Sequence, residues 1–317
     1  MQTVKTLHEE RKKIWNASIS NHEKYIDSTT KLFSDKFVQD RVCPVCETNN
    51  SSFLFYKEGG TYVKCKSCEM VYLNPVFKDN FLEEYYRGNH DIQGELVASD
   101  SDFYLSLYSK GLKSIEKYSK KNTILDIGCS AGMFLNLAKK NSWSTHGVEL
   151  NEKEAAYTFS KGHTIYNKLL EEITFPQKFD AITLWDVFEH LKDGKKYLLM
   201  LKDILSPEGV VFLQIPSSDS LAAKILHDKC NMYDGLEHVN LYNHKALDKL
   251  ASKCGFEILD IQTVISEIGV INNHLNYEDP YLGEATNTTD IKSLITEYDI
   301  HKKLLGYKFQ VTLGIKK

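Results

Sequence analysis

Thr123-Ile-Leu-Asp-Ile-Gly-Cys-Ser-Ala-Gly132, continued by Met133-Phe-Leu-Asn-Leu-Ala-Lys139, is the stretch whose reading decides the fold. Ile124, Leu125 and Ile127 predict a short buried strand. Gly128 and Gly132 predict a tight turn, and the apolar spacing after Gly132 predicts a helix. A glycine turn between strand and helix lets a ligand lie against bare backbone, with the first amides of the helix pointing at it.

The details of the turn decide which ligand. A dinucleotide fingerprint needs glycines at the first, third and sixth positions, and here Ser130 and Met133 occupy the last two. No Gly-Lys-Ser/Thr ending follows, so the turn is not a nucleotide triphosphate loop either. Leu125-Asp-Ile-Gly-Cys-Ser-Ala-Gly132 resembles motif I of the class I S-adenosylmethionine-dependent methyltransferases, in their methyltransferase-23-like branch. The next strand, Ser144-Thr-His-Gly-Val-Glu-Leu150, ends in Glu149. A carboxylate at that tip accepts hydrogen bonds from ribose hydroxyls in doubly wound nucleotide-binding folds. The resemblance implies that Asp126, Gly128, Gly132 and Glu149 contact S-adenosylmethionine. It further implies that Leu150 and Asn151 flank the adenine, that Leu169, Leu170 and Glu171 cover its other side or bond its amino group, and that Trp185 sits near the methionine end.

Outward from motif I, the strands expected at 123–127, 144–149, 163–166, 179–185, 209–215, 256–262 and 308–315 alternate with helical stretches, the order of an α/β doubly wound sheet. Seven strands is the count the resemblance implies, with the last inserted antiparallel beside the sixth. Residues 266–306 read as an insertion on the substrate side, with disorder around Gly283-Glu-Ala-Thr-Asn-Thr-Thr289 as the alternative.

Ahead of this sheet, Cys43-Pro-Val-Cys46 and Cys65-Lys-Ser-Cys68 form two paired knuckles. Four thiolates at that spacing predict a tetrahedral, structural Zn2+ with no position open to substrate; redox-active or unmetallated cysteines are the alternative. Phe53–Tyr56 and Tyr62–Lys64 read as its hairpin, making a zinc ribbon. The expected division is a helical extension over 1–40 with Leu7, Ile14 and Trp15 on one stripe, the ribbon over 41–75, a helical lid or linker over 76–120, and the methyltransferase domain over 121–317. Tyr85, Tyr86, Tyr104 and Tyr108 resemble the lid aromatics of small-molecule methyltransferases. Cys129, Cys230 and Cys254 lack paired spacing and read as small apolar residues.

The chemistry is expected where strand four runs into Asp186-Val-Phe-Glu-His190. A helix beginning near Asp186 would put Asp186, Glu189 and His190 on one face, with His238 joining from a later segment. The set resembles the Glu-x-x-Glu-His…His ligands of small-RNA 2′-O-methyltransferases, with Asp in place of the first Glu. Its Glu-His part recurs in quinone-pathway O-methyltransferases. Three roles stay open: ligands of a catalytic divalent ion such as Mg2+, a metal-free histidine base, or orientation of the loop.

The chain has 317 residues, 39 Lys plus Arg against 43 Asp plus Glu, and a net charge of -4, so electrostatics give no support to a nucleic-acid partner. The charged opening and the lack of a long apolar run lead us to expect a cytoplasmic protein with no membrane partner. A ribbon ahead of this fold resembles the deoxysugar C-methyltransferases. The expected activity is O-methylation of a small polar acceptor, a sugar or nucleotide-linked sugar. The alternatives are an RNA or protein methyltransferase that recognises its target through the ribbon, and a non-catalytic interaction module. Oligomeric state is not written in the sequence.

Overall fold

The computed structural model describes residues 23–79, 81, 101–120, 122–276 and 295–316. Leu7, Ile14, Trp15, Tyr85, Tyr86 and the 283–289 stretch lie outside them. Contacts divide the described chain into two compact units that are not consecutive in sequence. One holds 23–79, 216–246, 262–276 and 295–309; the other holds 81, 101–120, 122–215, 247–261 and 310–316. Among the described residues no helix is long and apolar enough to cross a membrane.

The first unit carries the cysteines. Its strands begin with β1 (Val38–Gln39), β2 (Ser51–Lys57), β3 (Gly60–Cys65), β4 (Val71–Leu73) and β5 (Val76–Phe77). β2 and β3 pair antiparallel across a two-residue turn, Glu58-Gly59, whose φ angles of 45° and 88° are those of the primed turns that match strand twist. β4 pairs antiparallel with β3, and β1 with β5. A small core gathers Tyr62, Val71 and Leu73 from the ribbon with Met232, Tyr233 and Ile271 from later in the chain.

The second unit is built on β6 (Thr123–Ile127), β7 (Ser144–Val148), β8 (Thr164–Tyr166), β9 (Phe179–Trp185) and β10 (Leu205–Pro216). β11 (Asn240–Leu241) returns to the ribbon, where it pairs with β4. β12 (Phe256–Val264) and β13 (Lys308–Ile315) complete the large sheet, whose order is β12-β13-β10-β9-β6-β7-β8. The contacts among β6 to β10 are parallel, and the last strand is inserted antiparallel between the fifth and sixth. This is the seven-stranded α/β sheet expected from the sequence. Val210 to Ile215 are all buried, which is why this strand reads as a continuous apolar run rather than an alternation. Helices α1 (Ser101–Tyr118), α2 (Met133–Lys140), α3 (Glu152–Ser160) and α4 (Gly194–Ile204) belong to this unit, and α1 and α2 supply Leu112, Ile115, Phe134 and Leu135 to its core.

One local expectation is corrected. No helix begins near Asp186: the chain makes a single 3-10 turn over Phe188–His190, and α4 starts at Gly194. The reason lies in two competing bonds. Asp186 N–H donates to Gln214 O at 2.9 Å, prolonging the sheet, while Asp193 supplies the N-cap by accepting from Lys196 N–H at 2.9 Å. Asp186 sits at φ 54°, outside the helical region.

Candidate functional site

The glycine turn is held open from both sides. Gly128 and Gly132 have φ of +73° and +75°, and Ser130 between them has φ 46°. A Cβ on Gly128 would come within 2.6 Å of Val187 Cγ2, and one on Gly132 within 2.5 Å of Thr158 Cγ2. Conformation and space thus both demand glycine. The turn is anchored where Gly128 and Cys129 N–H donate to Val148 O at 2.9 and 3.1 Å. Thr158 Oγ1 also donates to Ser130 O at 2.8 Å. Gly132 occupies the N-cap of α2 and brings no capping side chain, so the amides of that end remain for a ligand.

Glu149 lies at the tip of β7, buried, and its carboxylate spans the turn. Oε2 accepts from Ser130 N–H and Oε1 from Asn151 N–H, both at 2.8 Å. Each oxygen keeps a second lone pair, so the carboxylate is oriented without being saturated. Asn151 also acts locally, since its Oδ1 caps α3 by accepting from Lys153 and Glu154 N–H. Leu150 is half-buried beside it. Asp126 is fully buried, and burial pushes its carboxyl up to about 8 despite a 2.7 Å hydrogen bond donated by Thr183 Oγ1. Leu169 precedes a 3-10 turn in which Leu170 is buried. Glu171 there accepts from Tyr197 OH at 2.6 Å and Lys196 Nζ at 3.0 Å.

Trp185 ends β9 in an aromatic cluster, with ring centroids 4.7 Å from Tyr108, 5.0 Å from Phe134 and 4.6 Å from Phe212. Tyr104 is half-buried one turn before Tyr108 on α1, the two rings 6.4 Å apart. Burial first, and then the nearby Asp126 and Asp186, push the Tyr108 hydroxyl far above its ordinary range.

Just past β9, Asp186 Oδ2 accepts from Gln214 Nε2 at 3.0 Å, and Gln214 is in turn held by Gln310 Nε2 at 2.9 Å. Glu189 is completely buried in the 3-10 turn, with Oε1 4.0 Å from His190 Nε2. Asp186, Glu189 and His190 therefore lie on one short segment beside Gly128, which Val187 covers. The sequence gives no sign of Thr183, Gln214 or Thr158 as supports, because each acts on a partner at least 28 residues away.

His238 belongs to the other unit. Its Nδ1 lies 2.7 Å from Met232 O. A carbonyl only accepts, so Nδ1 carries a proton, and in the neutral ring the lone pair resides on Nε2. In the same unit the sulfurs of Cys43, Cys46, Cys65 and Cys68 all lie within 4.8 Å of one another, with Cys43–Cys68 at 3.5 Å and Cys46–Cys65 at 3.4 Å. Four thiolates at 2.3 Å from a tetrahedral ion would stand about 3.8 Å apart, so this donor set fits zinc closely. Contact with Cys68 draws the Cys43 thiol down to about 5, while the same contact pushes the Cys68 thiol up.

Residues 103–261 match the family model described as "Methyltransferase domain". Over 86 residues, 27% of this chain and 35% of the relative, it is 30% identical to a malonyl-[acyl-carrier protein] O-methyltransferase of Calditerrivibrio nitroreducens. Over 101 residues, 28% of this chain and 43% of the relative, it is 25% identical to a ubiquinone biosynthesis O-methyltransferase of Actinobacillus pleuropneumoniae. The match thus spans less than half the length of either curated relative. In fold the chain resembles the magnesium protoporphyrin IX methyltransferase of Synechocystis PCC 6803 with bound SAH. That comparison has a TM-score of 0.51 at 11% identity and covers 76% of this chain and 100% of that one. Motif I, the acid at the tip of the second strand, the inserted last strand and a family match over half the chain agree: the chain belongs to the methyltransferase-domain family, as a class I S-adenosylmethionine-dependent methyltransferase with an N-terminal four-cysteine cluster.

Proposed function

We propose that this protein transfers a methyl group from S-adenosylmethionine to an oxygen of a small polar acceptor, a sugar or nucleotide-linked sugar. The observation that carries the reading is the placement of Glu149 and the glycine turn beside the segment bearing Asp186, Glu189 and His190. S-adenosylmethionine supplies an electrophilic methyl carbon. Glu149 and the Gly128–Gly132 backbone are the groups suited to hold it, with Asp126, Leu150, Asn151, Leu169, Leu170, Trp185 and Tyr104 around them. The remaining work is to place an acceptor oxygen in line with the methyl and remove its proton. His190 and His238 are the bases proposed for that proton, Glu189 stabilises an imidazolium at His190, and Asp186 orients the segment. Asp186 is already held by the Gln214 amide, which supports an orienting role for that carboxylate. The four cysteines hold a structural Zn2+.

Both curated relatives are O-methyltransferases, which supports oxygen as the acceptor atom. The sugar assignment rests on the combination of ribbon and methyltransferase fold. The test is transfer of labelled methyl to a panel of sugar nucleotides, RNA and protein extract. Label on a sugar hydroxyl is the expected result; label on RNA or protein, or none with SAH bound, overturns it. His190→Ala is expected to reduce turnover on the order of a hundredfold, the scale of a lost general base. Unchanged turnover would remove His190 from the chemistry, and a rate that rises with added Mg2+ would restore the ion.

A further inference from the structure

The segment Met232–Asn243 is fastened to the four-cysteine ribbon almost residue by residue. Tyr62 of β3 is fully buried; its hydroxyl donates to His238 O at 3.1 Å and accepts from Gly235 N–H at 3.2 Å. Arg41, two residues before the first cysteine, donates through Nη2 to Val239 O at 2.6 Å and Asn240 Oδ1 at 3.0 Å, and through Nε to Leu73 O at 2.9 Å. Its guanidinium lies over the Tyr72 ring, 5.2 Å from the centroid. Leu73 N–H donates to Val239 O at 3.0 Å, and Asn243 Nδ2 reaches Glu69 O at 2.7 Å, one residue past the last cysteine.

The approach is close enough to forbid side chains. A Cβ on Gly60 would meet Gly235 O at 2.1 Å, and one on Gly235, at φ +83°, would meet Lys57 O at 2.2 Å. Within the segment, Asp234 Oδ1 accepts from Leu236, Glu237 and His238 N–H at 2.9 to 3.1 Å, closing a tight loop that ends on the histidine. The same loop brings His238 Nδ1 to the Met232 carbonyl.

We infer that Tyr62 and Arg41 are positioning residues for His238: they tie its backbone to the metal ribbon, and so fix the imidazole in the tautomer that keeps its lone pair on Nε2. The ribbon is then no separable recognition module, because loss of its metal unfastens the histidine. The inference rests on the proposed use of His238 as a base. Fixing a tautomer matters for a base because only the unprotonated nitrogen accepts the proton, and free histidine divides its proton between the two.

The experiment uses the full chain labelled with nitrogen-15 histidine, as purified, after removal of zinc with phenanthroline, and as Tyr62→Phe, which keeps the ring and deletes only the hydroxyl. The untreated protein is expected to show His238 as the Nδ1–H tautomer. Tyr62→Phe should exchange the Gly235 amide about five- to tenfold faster, the weight of one net hydrogen bond, and shift the His238 tautomer ratio. Removal of zinc should produce the larger change at the same nuclei, and Zn2+ should reverse it, while affinity for SAH stays constant. An unchanged tautomer and unchanged exchange in both samples overturns the inference. A changed tautomer with unchanged methyl transfer upholds the coupling and removes His238 from the chemistry, so the two claims fail separately.

Discussion

The two units of this protein solve the same problem by different means. The sheet unit buries runs such as Val210 to Ile215 and Ala181 to Leu184, together with Phe134, Phe179 and Phe212, almost entirely, so apolar area removed from water stabilises it. The ribbon unit has strands of two to seven residues, leaves Phe53 and Tyr56 of β2 largely exposed, buries Tyr62, Cys43, Cys65 and Cys68, and half-buries Arg41 and Cys46. Burial draws the Arg41 guanidinium down to about 10, a cost offset by the Leu73 and Val239 carbonyls, the Asn240 side chain and the Tyr72 ring. The ribbon unit has an apolar core of its own, around Tyr62, Leu73, Met232, Tyr233 and Ile271, and adds directed contacts and a four-thiol set to it, whereas the sheet unit is held chiefly by apolar volume. Function follows the same division, since a rigid sheet can hold a glycine turn open while the ribbon tethers a loop.

The largest test of that contrast is metal removal. A structural zinc of this type contributes roughly 10–16 kcal/mol in small zinc modules, so chelation or Cys65→Ser should abolish amide protection across residues 41–75. Affinity for SAH in the sheet unit should survive, as read by hydrogen exchange and calorimetry on one sample. Loss of both together would mean that the two units do not fold by separate means.

The converse cut is Phe212→Ala in the sheet. It should cost about 3–5 kcal/mol in the sheet unit and leave zinc content unaltered, measured by calorimetry and metal analysis. Glu149→Ala sharpens the picture within that unit. It removes the acceptor of Ser130 and Asn151 N–H and should weaken SAH binding about 10- to 100-fold, the loss expected for one or two charge-assisted hydrogen bonds.

A last test within the sheet unit is a pH slope from Asp126. Its carboxyl is ordinary in the unfolded chain and raised to about 8 by burial in the folded one. Between about pH 4 and 8 the folded state therefore holds the extra proton, so stability falls as pH rises through that window and levels off above it. Asp126→Asn keeps the oxygen that Thr183 bonds and should flatten this slope, read as the pH dependence of the melting temperature between about pH 4 and 8. An identical slope in the variant would place the titration elsewhere.

Much of the site was legible because it is local. A strand, two glycines, a helix and an acid at the next strand tip are all encoded within Thr123–Glu149, and two Cys-x-x-Cys knuckles announce themselves by spacing. The helix expected at Asp186 failed for the opposite reason. Its three-and-four spacing was real, but a partner 28 residues away, Gln214, claimed the backbone and the carboxylate of Asp186. Spacing reports which residues would align if a helix formed; it does not report which distant group competes for the amide.

The sequence by itself determined the family, the glycine turn, the acid behind it and the four-cysteine set, since each is written in residues a few positions apart. Only the tertiary structure decided that the Asp186 segment makes a 3-10 turn rather than opening a helix, and that Gln310 backs Gln214. It alone showed that Tyr62 bonds a histidine loop 176 residues downstream. Those pairings depend on which surfaces meet after the chain has collapsed, and a hydroxyl that satisfies a distant carbonyl leaves no periodic trace in the residues around it.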